Sequence, residues 1–185
     1  MPLHPDLVEC WVFRVRAASL ELLLVHRAPG RIFAGLWQPV TGGIEDGERV
    51  PLAALREVAE ETGFEGDDIE AFYDLDQIAA FYDEDANALL ESAIFAVRVR
   101  PEAELRLSHE HDDGRWVDAT TALGLVVWPA YAESVARIRN RLLDPETARW
   151  FAVDRTSGRR LARWGGPEAA PPRVESAPRM SEEEP

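Results

Sequence analysis

At 185 residues the chain has the length of one domain with a sizeable buried core. Its formal charge of −14 argues against a nucleic-acid-binding surface, which needs Lys and Arg to displace counterions from phosphates. Cys10 is the only cysteine, so neither an intrachain disulfide nor a cysteine-based zinc centre is expected. All 20 basic residues are arginines, a bias that genomic base composition explains and that marks no site. The start, MPLHPDLVEC, lacks a basic segment followed by a long apolar one, and no later run reaches the roughly 18 apolar residues of a membrane span. A soluble, cytoplasmic protein with no membrane contact is the expectation.

Residues 7–16 and 20–27 are rich in β-branched, aromatic and apolar side chains and read as two strands joined at Ala17-Ala18-Ser19. Cys10 lies inside the first apolar run and reads as a small core residue. In the loop from Ala28 to Gly35, Arg27 and Arg31 are placed either to hold phosphates or to face solvent. Trp37 either stacks on a base or belongs to the core, and Gln38 follows it in the string LWQPVTGG.

The segment Arg49–Thr62 is predicted to be a short amphipathic helix. Pro51 suits its first turn and Gly63 its end. Leu52, Leu55, Ala59 and Thr62 recur at three- and four-residue steps, which predicts that this stripe packs. The opposite side carries Glu57, Glu60 and Glu61. Three carboxylates there cost about 0.2–0.5 kcal/mol per like-charged pair, and a cation makes the arrangement favourable. Mg²⁺ takes a few carboxylates together with substrate phosphates; the alternative is a solvated helix face.

Further on, Ala71–Leu75 and Gln77–Tyr82 read as short strands, 83–87 as a hairpin tip and Ala88–Arg100 as a long strand interrupted by Glu91, which either faces solvent or serves the site. Between Glu45 and Asp85 there are fifteen acids and two arginines, a field that attracts cations. The string SHEHDDGRWVD places His109, Glu110 and His111 in a loop before a strand from Arg115 to Asp118. A helix from Pro129 to about Leu142 presents Tyr131, Val135, Ile138 and Leu142 on one stripe. A last helix, ETARWFAV, carries Trp150 and Phe151, which either pack or meet a second subunit. From residue 165 the chain is rich in Pro, Ala and Glu and is expected to be a disordered tail, leaving 1–164 as the domain.

Gly42, five residues, Glu48, seven residues, then Arg56-Glu57-Val58-x-Glu60-Glu61-x-Gly63-Phe64 resembles the Nudix box at every defined position. The resemblance implies an α/β/α sandwich with a mixed central sheet and the hydrolysis of a nucleoside diphosphate linked to another group. It implies Mg²⁺, or Mn²⁺, held by the Gly42 carbonyl, Glu57, Glu60, Glu61 and a further acid, for which Glu110 is the candidate. Glu57 or Glu110 serves as base, and Arg56 orients Glu57 and its neighbours. Glu48 is expected to be a structural or outer-shell acid near the helix start, where a negative charge meets the dipole favourably. The wording LWQPVTGGIEDGE, with E-H…W-x-D later, is similar to the dihydroneopterin triphosphate pyrophosphatase branch, whose substrates give a monophosphate and pyrophosphate. Dinucleoside polyphosphates, nucleoside diphosphate sugars and a non-catalytic nucleotide-sensing domain are the alternatives. Many relatives dimerise, so a homodimer is compatible with the resemblance.

Overall fold

The computed structural model describes residues 4–84 and 87–162. Strands β1 (Leu7–Arg16) and β2 (Ser19–Arg27) form an antiparallel hairpin closed by Ala17 and Ala18, both at positive φ, as a two-residue turn that follows strand twist requires. Direct pairing runs only from Arg16↔Ser19 to Phe13↔Leu22. Beyond that point the strands part, and the chain itself fills the opening. There β3 (Trp37–Gln38) pairs with β2, and β4 (Val40–Gly43) pairs with β1, Gly42 opposite Val8.

The other edge of β1 pairs in parallel with β6 (Ala88–Val99), which pairs antiparallel with β5 (Ile69–Asp83); β7 (His111–Val117) pairs antiparallel with β2. The sheet is therefore mixed. Because side chains alternate along β1, Val8, Cys10 and Val12 enter one core and Trp11 and Phe13 another. Helix α1 (Val50–Thr62) covers the first face. Helices α2 (Ala119–Leu125) and α3 (Ala130–Arg137), a π-helical turn over Ile138–Leu142 and α4 (Pro145–Ala148) cover the second. This is the expected α/β/α sandwich, with Tyr131, Val135, Ile138 and Leu142 buried as their spacing predicts. Among the described residues no helix is long and apolar enough to cross a membrane.

Several expectations need correction. Helix α1 buries Ala53, Ala54, Val58 and Thr62, while Leu52, Leu55 and Ala59 are only partly covered. Small residues let the helix axis approach β1 and β4 closely, so the larger leucines lie along its flanks. The two short strands after α1 are one strand, β5, with an irregularity between Asp74 and Gln77, where Asp76 takes a positive φ. The last helix is a single turn: Phe151 to Val153 instead run beside β5, where Asp74 N–H donates to the Phe151 carbonyl and Val153 N–H to that of Phe72. Phe151 packs against the second core. The tail expected from residue 165, and part of the hairpin tip at 85–86, fall outside the described residues.

Candidate active site

Helix α1 is delimited as its sequence predicts. Pro51 occupies the first turn, and Gly63, at φ 73°, closes the last by donating its N–H to the Ala59 carbonyl. The Arg56 guanidinium then gathers the motif. Its Nε donates to Glu48 Oε1 (3.0 Å), Nη1 to Glu57 Oε1 (2.7 Å) and Glu60 Oε2 (3.3 Å), and Nη2 to the Gly43 carbonyl (2.8 Å) and Glu48 Oε2 (2.9 Å). Arg56 thus orients Glu57 while tying the helix to β4. Glu48 also accepts from the Glu45 N–H (3.2 Å), which fixes the turn ahead of the helix.

Gly42 is required here for space. It has no left-handed φ and lies in β4; a Cβ on it would overlap the Glu57 carboxyl group. Beside Glu57, one helical turn on, Glu61 is only 4% exposed, against the solvent-facing position its charge suggests. Glu60 points outward, its side chain 57% exposed.

The loop carrying Glu110 is pinned at both ends. Ser108 N–H donates to the Glu61 carbonyl (3.1 Å), and Ala28 N–H to the Glu110 carbonyl (2.9 Å). The Glu110 side chain accepts from Arg27 Nη1 (2.8 Å) and lies 3.6 Å from Arg31. Both arginines thus face an acid. His111 is the first residue of β7, not a loop residue, and is buried with its Nε2 3.7 Å from Glu61 Oε2. No periodicity marks it in the sequence; its place beside Glu110 is the only available signal.

Charges respond to this burial. Desolvation first, then the charge of Glu57, push Glu61 up to about 8; Arg27 pulls it down and Glu110 adds to the rise. Burial also raises Glu57, outweighing its Arg56 contact. Glu110 is held low, chiefly by its Arg27 hydrogen bond. Burial lowers His111 to about 4, so at neutral pH its ring is uncharged and makes no ion pair with Glu61.

Among the described residues no three acidic, His or Cys side chains converge tightly enough to hold an ion as they stand, because Arg56 draws Glu57 and Glu60, and Arg27 draws Glu110. The donor set still suits a hard divalent cation. Glu61 Oε2 is buried without a hydrogen-bond partner, which is costly for a carboxylate. Glu57 and Glu110 both act on it electrostatically. Oxygen donors in this number fit Mg²⁺ or Mn²⁺.

Next to these acids, on the second face of the sheet, is a cavity of about 260 Å³ walled by Phe33, Phe81, Trp128 and Tyr131, with Gln38, Thr41 and Glu9 among its polar groups. Gln38 Nε2 donates to Thr41 Oγ1 (3.0 Å). Trp37, its neighbour in β3, does not line the cavity. It lies against His26 and the Arg115 guanidinium and packs on the second core.

A wedge of strand facing an acidic helix is the architecture of a Nudix domain. The NUDIX domain model matches residues 7–138, and the chain belongs to that family. It is 41% identical over 128 residues to an octanoyltransferase of Myxococcus xanthus; the match takes in 68% of this chain but 34% of that protein, so the chain spans about one third of this relative. A structure from Listeria monocytogenes assigned to the NUDIX hydrolases superposes with a TM-score of 0.65 at 26% identity, over 76% of this chain and 95% of the other. The Escherichia coli dihydroneopterin triphosphate pyrophosphohydrolase (TM-score 0.62, 21% identity, 72% and 94% covered) and a Caenorhabditis elegans Ap4A hydrolase (0.62, 17%, 74% and 96%) share the fold.

Proposed function

We propose that this chain hydrolyses a phosphoanhydride of a nucleoside or pterin triphosphate with Mg²⁺, releasing the monophosphate and pyrophosphate. The observation that carries the reading is the buried, unpartnered Glu61 oxygen beside Glu57, Glu110 and the Gly42 gap, with a ring-sized aromatic cavity adjoining. Glu57, Glu61, Glu110 and the Gly42 carbonyl would hold the cation, with Glu60 at its rim. Once bound, it neutralises phosphate oxygens that otherwise repel a nucleophile and lowers the pKa of water.

The chain's own residues supply the rest. Arg56 fixes the Glu57 carboxyl through one oxygen, leaving the second to take a proton from attacking water. Both oxygens of Glu110 face arginines, so Glu110 is the poorer base and serves as a ligand. Arg27 and Arg31, both beside Glu110, would receive the phosphate chain, since their forked donors match phosphate oxygens. Gln38 lines the ring cavity, and Trp37 has a packing role.

Incubation with Mg²⁺ and a panel of nucleoside and pterin triphosphates, dinucleoside polyphosphates and nucleoside diphosphate sugars, with ³¹P NMR of the products, tests this. Pyrophosphate and a monophosphate from a triphosphate are expected. Turnover confined to the other two classes overturns the substrate assignment, and ligand binding without Mg²⁺-dependent turnover overturns the activity.

A further inference from the structure

Glu9 has no part in the acid cluster. It is 4% exposed and projects from the side of β1 that otherwise presents Trp11 and Phe13 to the second core. Its carboxyl lines the aromatic cavity. The Trp11 indole N–H donates to one oxygen at 2.6 Å, and the Ser134 hydroxyl lies beside the group. An ionised carboxylate has about four acceptor positions, and with the Ser134 hydroxyl donating to Gln77 Oε1 (3.2 Å) the indole N–H leaves the group under-satisfied in an apolar setting. Burial accordingly raises it to about 7. A carboxyl retained at such a cost, facing a cavity, is placed to accept hydrogen bonds from what enters it.

We propose that Glu9 is the specificity-determining residue of this cavity, accepting two parallel N–H donors from a heteroaromatic ring that carries a ring N–H beside an exocyclic amino group. This rests on the reading that the cavity takes the ring of the substrate. Two in-plane donors match a carboxylate as the fork of arginine does, while Trp128 and Tyr131 offer aromatic surface to the ring. Guanine and pterin share that donor edge. Adenine sets a ring acceptor against the carboxylate, and hypoxanthine lacks the amino group.

The test is calorimetric titration of the full chain, without metal, with guanosine, neopterin, inosine and adenosine. Guanosine or neopterin is expected to bind at least about tenfold more tightly than inosine and adenosine, the stronger of the two identifying the ring source. Glu9→Gln, which turns a donor toward those donors, should erase the preference. Equal affinity for all four rings in the wild type, no binding of any, or a preference retained in Glu9→Gln overturns the proposal. The wild-type comparison needs no variant to fold. Turnover is not the readout, so Mg²⁺-dependent hydrolysis can fail while ring selection holds, and the reverse.

Discussion

The carboxyl group of Glu57 stands in the space that a Cβ on Gly42 would occupy, so strand β4 and helix α1 interlock at one glycine. Gly42→Ala is expected to push Glu57 out of its contact with Arg56. Overpacking of this kind costs about 1–3 kcal/mol. Turnover should fall at least about tenfold, as displaced ligands and their supports do. Paired thermal melts and kcat measurements check this; a variant with normal melting and normal kcat refutes the interlock.

Glu61 keeps one carboxyl oxygen, Oε2, buried without a hydrogen-bond partner, which separates its roles in folding and in catalysis. In EDTA, Glu61→Gln should melt no lower than the wild type, since it removes a carboxylate that burial disfavours. With Mg²⁺ the wild type should gain stability through linkage, about 2.7 kcal/mol at a hundredfold excess over Kd. The variant should lose that gain and lose turnover by more than the roughly 10–100-fold typical of outer-shell changes. An unchanged Mg²⁺ response in Glu61→Gln contradicts the ligand assignment.

Arg56 donates to three acids and a carbonyl at once, a geometry that a single ammonium cannot copy. Arg56→Lys should therefore behave much as Arg56→Ala does, with kcat reduced about 10–100-fold and KM little changed. Steady-state kinetics on the two variants decides it. Near wild-type kcat in the lysine variant would show that charge alone suffices.

Glu9 offers a prediction in pH. Its folded pKa of about 7 lies above its ordinary 4.5, so the folded chain binds the extra proton. Its favourable contribution is complete below pH 4.5 and is lost as pH rises through 7. The displacement corresponds to about 3 kcal/mol. Urea unfolding at stepped pH should show the wild type losing about that much relative to Glu9→Gln between pH 4.5 and 7, then running parallel. The depressed His111 acts in the opposite sense but is common to both proteins and cancels in the difference.

Much of this molecule could be read before folding it. The glycine, arginine and glutamates of the box, the helix they ride on and the covering stripe from Tyr131 to Leu142 all depend on neighbours a few residues away. What escaped depends on distant partners. Leu52, Leu55 and Ala59 have the right spacing for a core, yet Ala53 and Ala54 go inside because β1 and β4 come close beneath them. Nothing near Glu61 announces that a loop fifty residues later will bury it. The strand pairing of Phe151 to Val153 was hidden by a local helical pattern. Glu9 could have been found as the lone acid on the side of β1 that carries Trp11 and Phe13.

Successive residues of a strand point opposite ways, and in β4 that pleat divides two tasks. Thr41 opens onto the aromatic hollow, and Gly42, the next residue, meets Glu57. The two compartments stand back to back across the thickness of one backbone. On the proposed function, a substrate engaging both would turn over that rim, and the span from its ring to its anhydride would be gauged by the strand. Compounds with a longer tether between those parts should therefore slip out of register, however well each end fits alone.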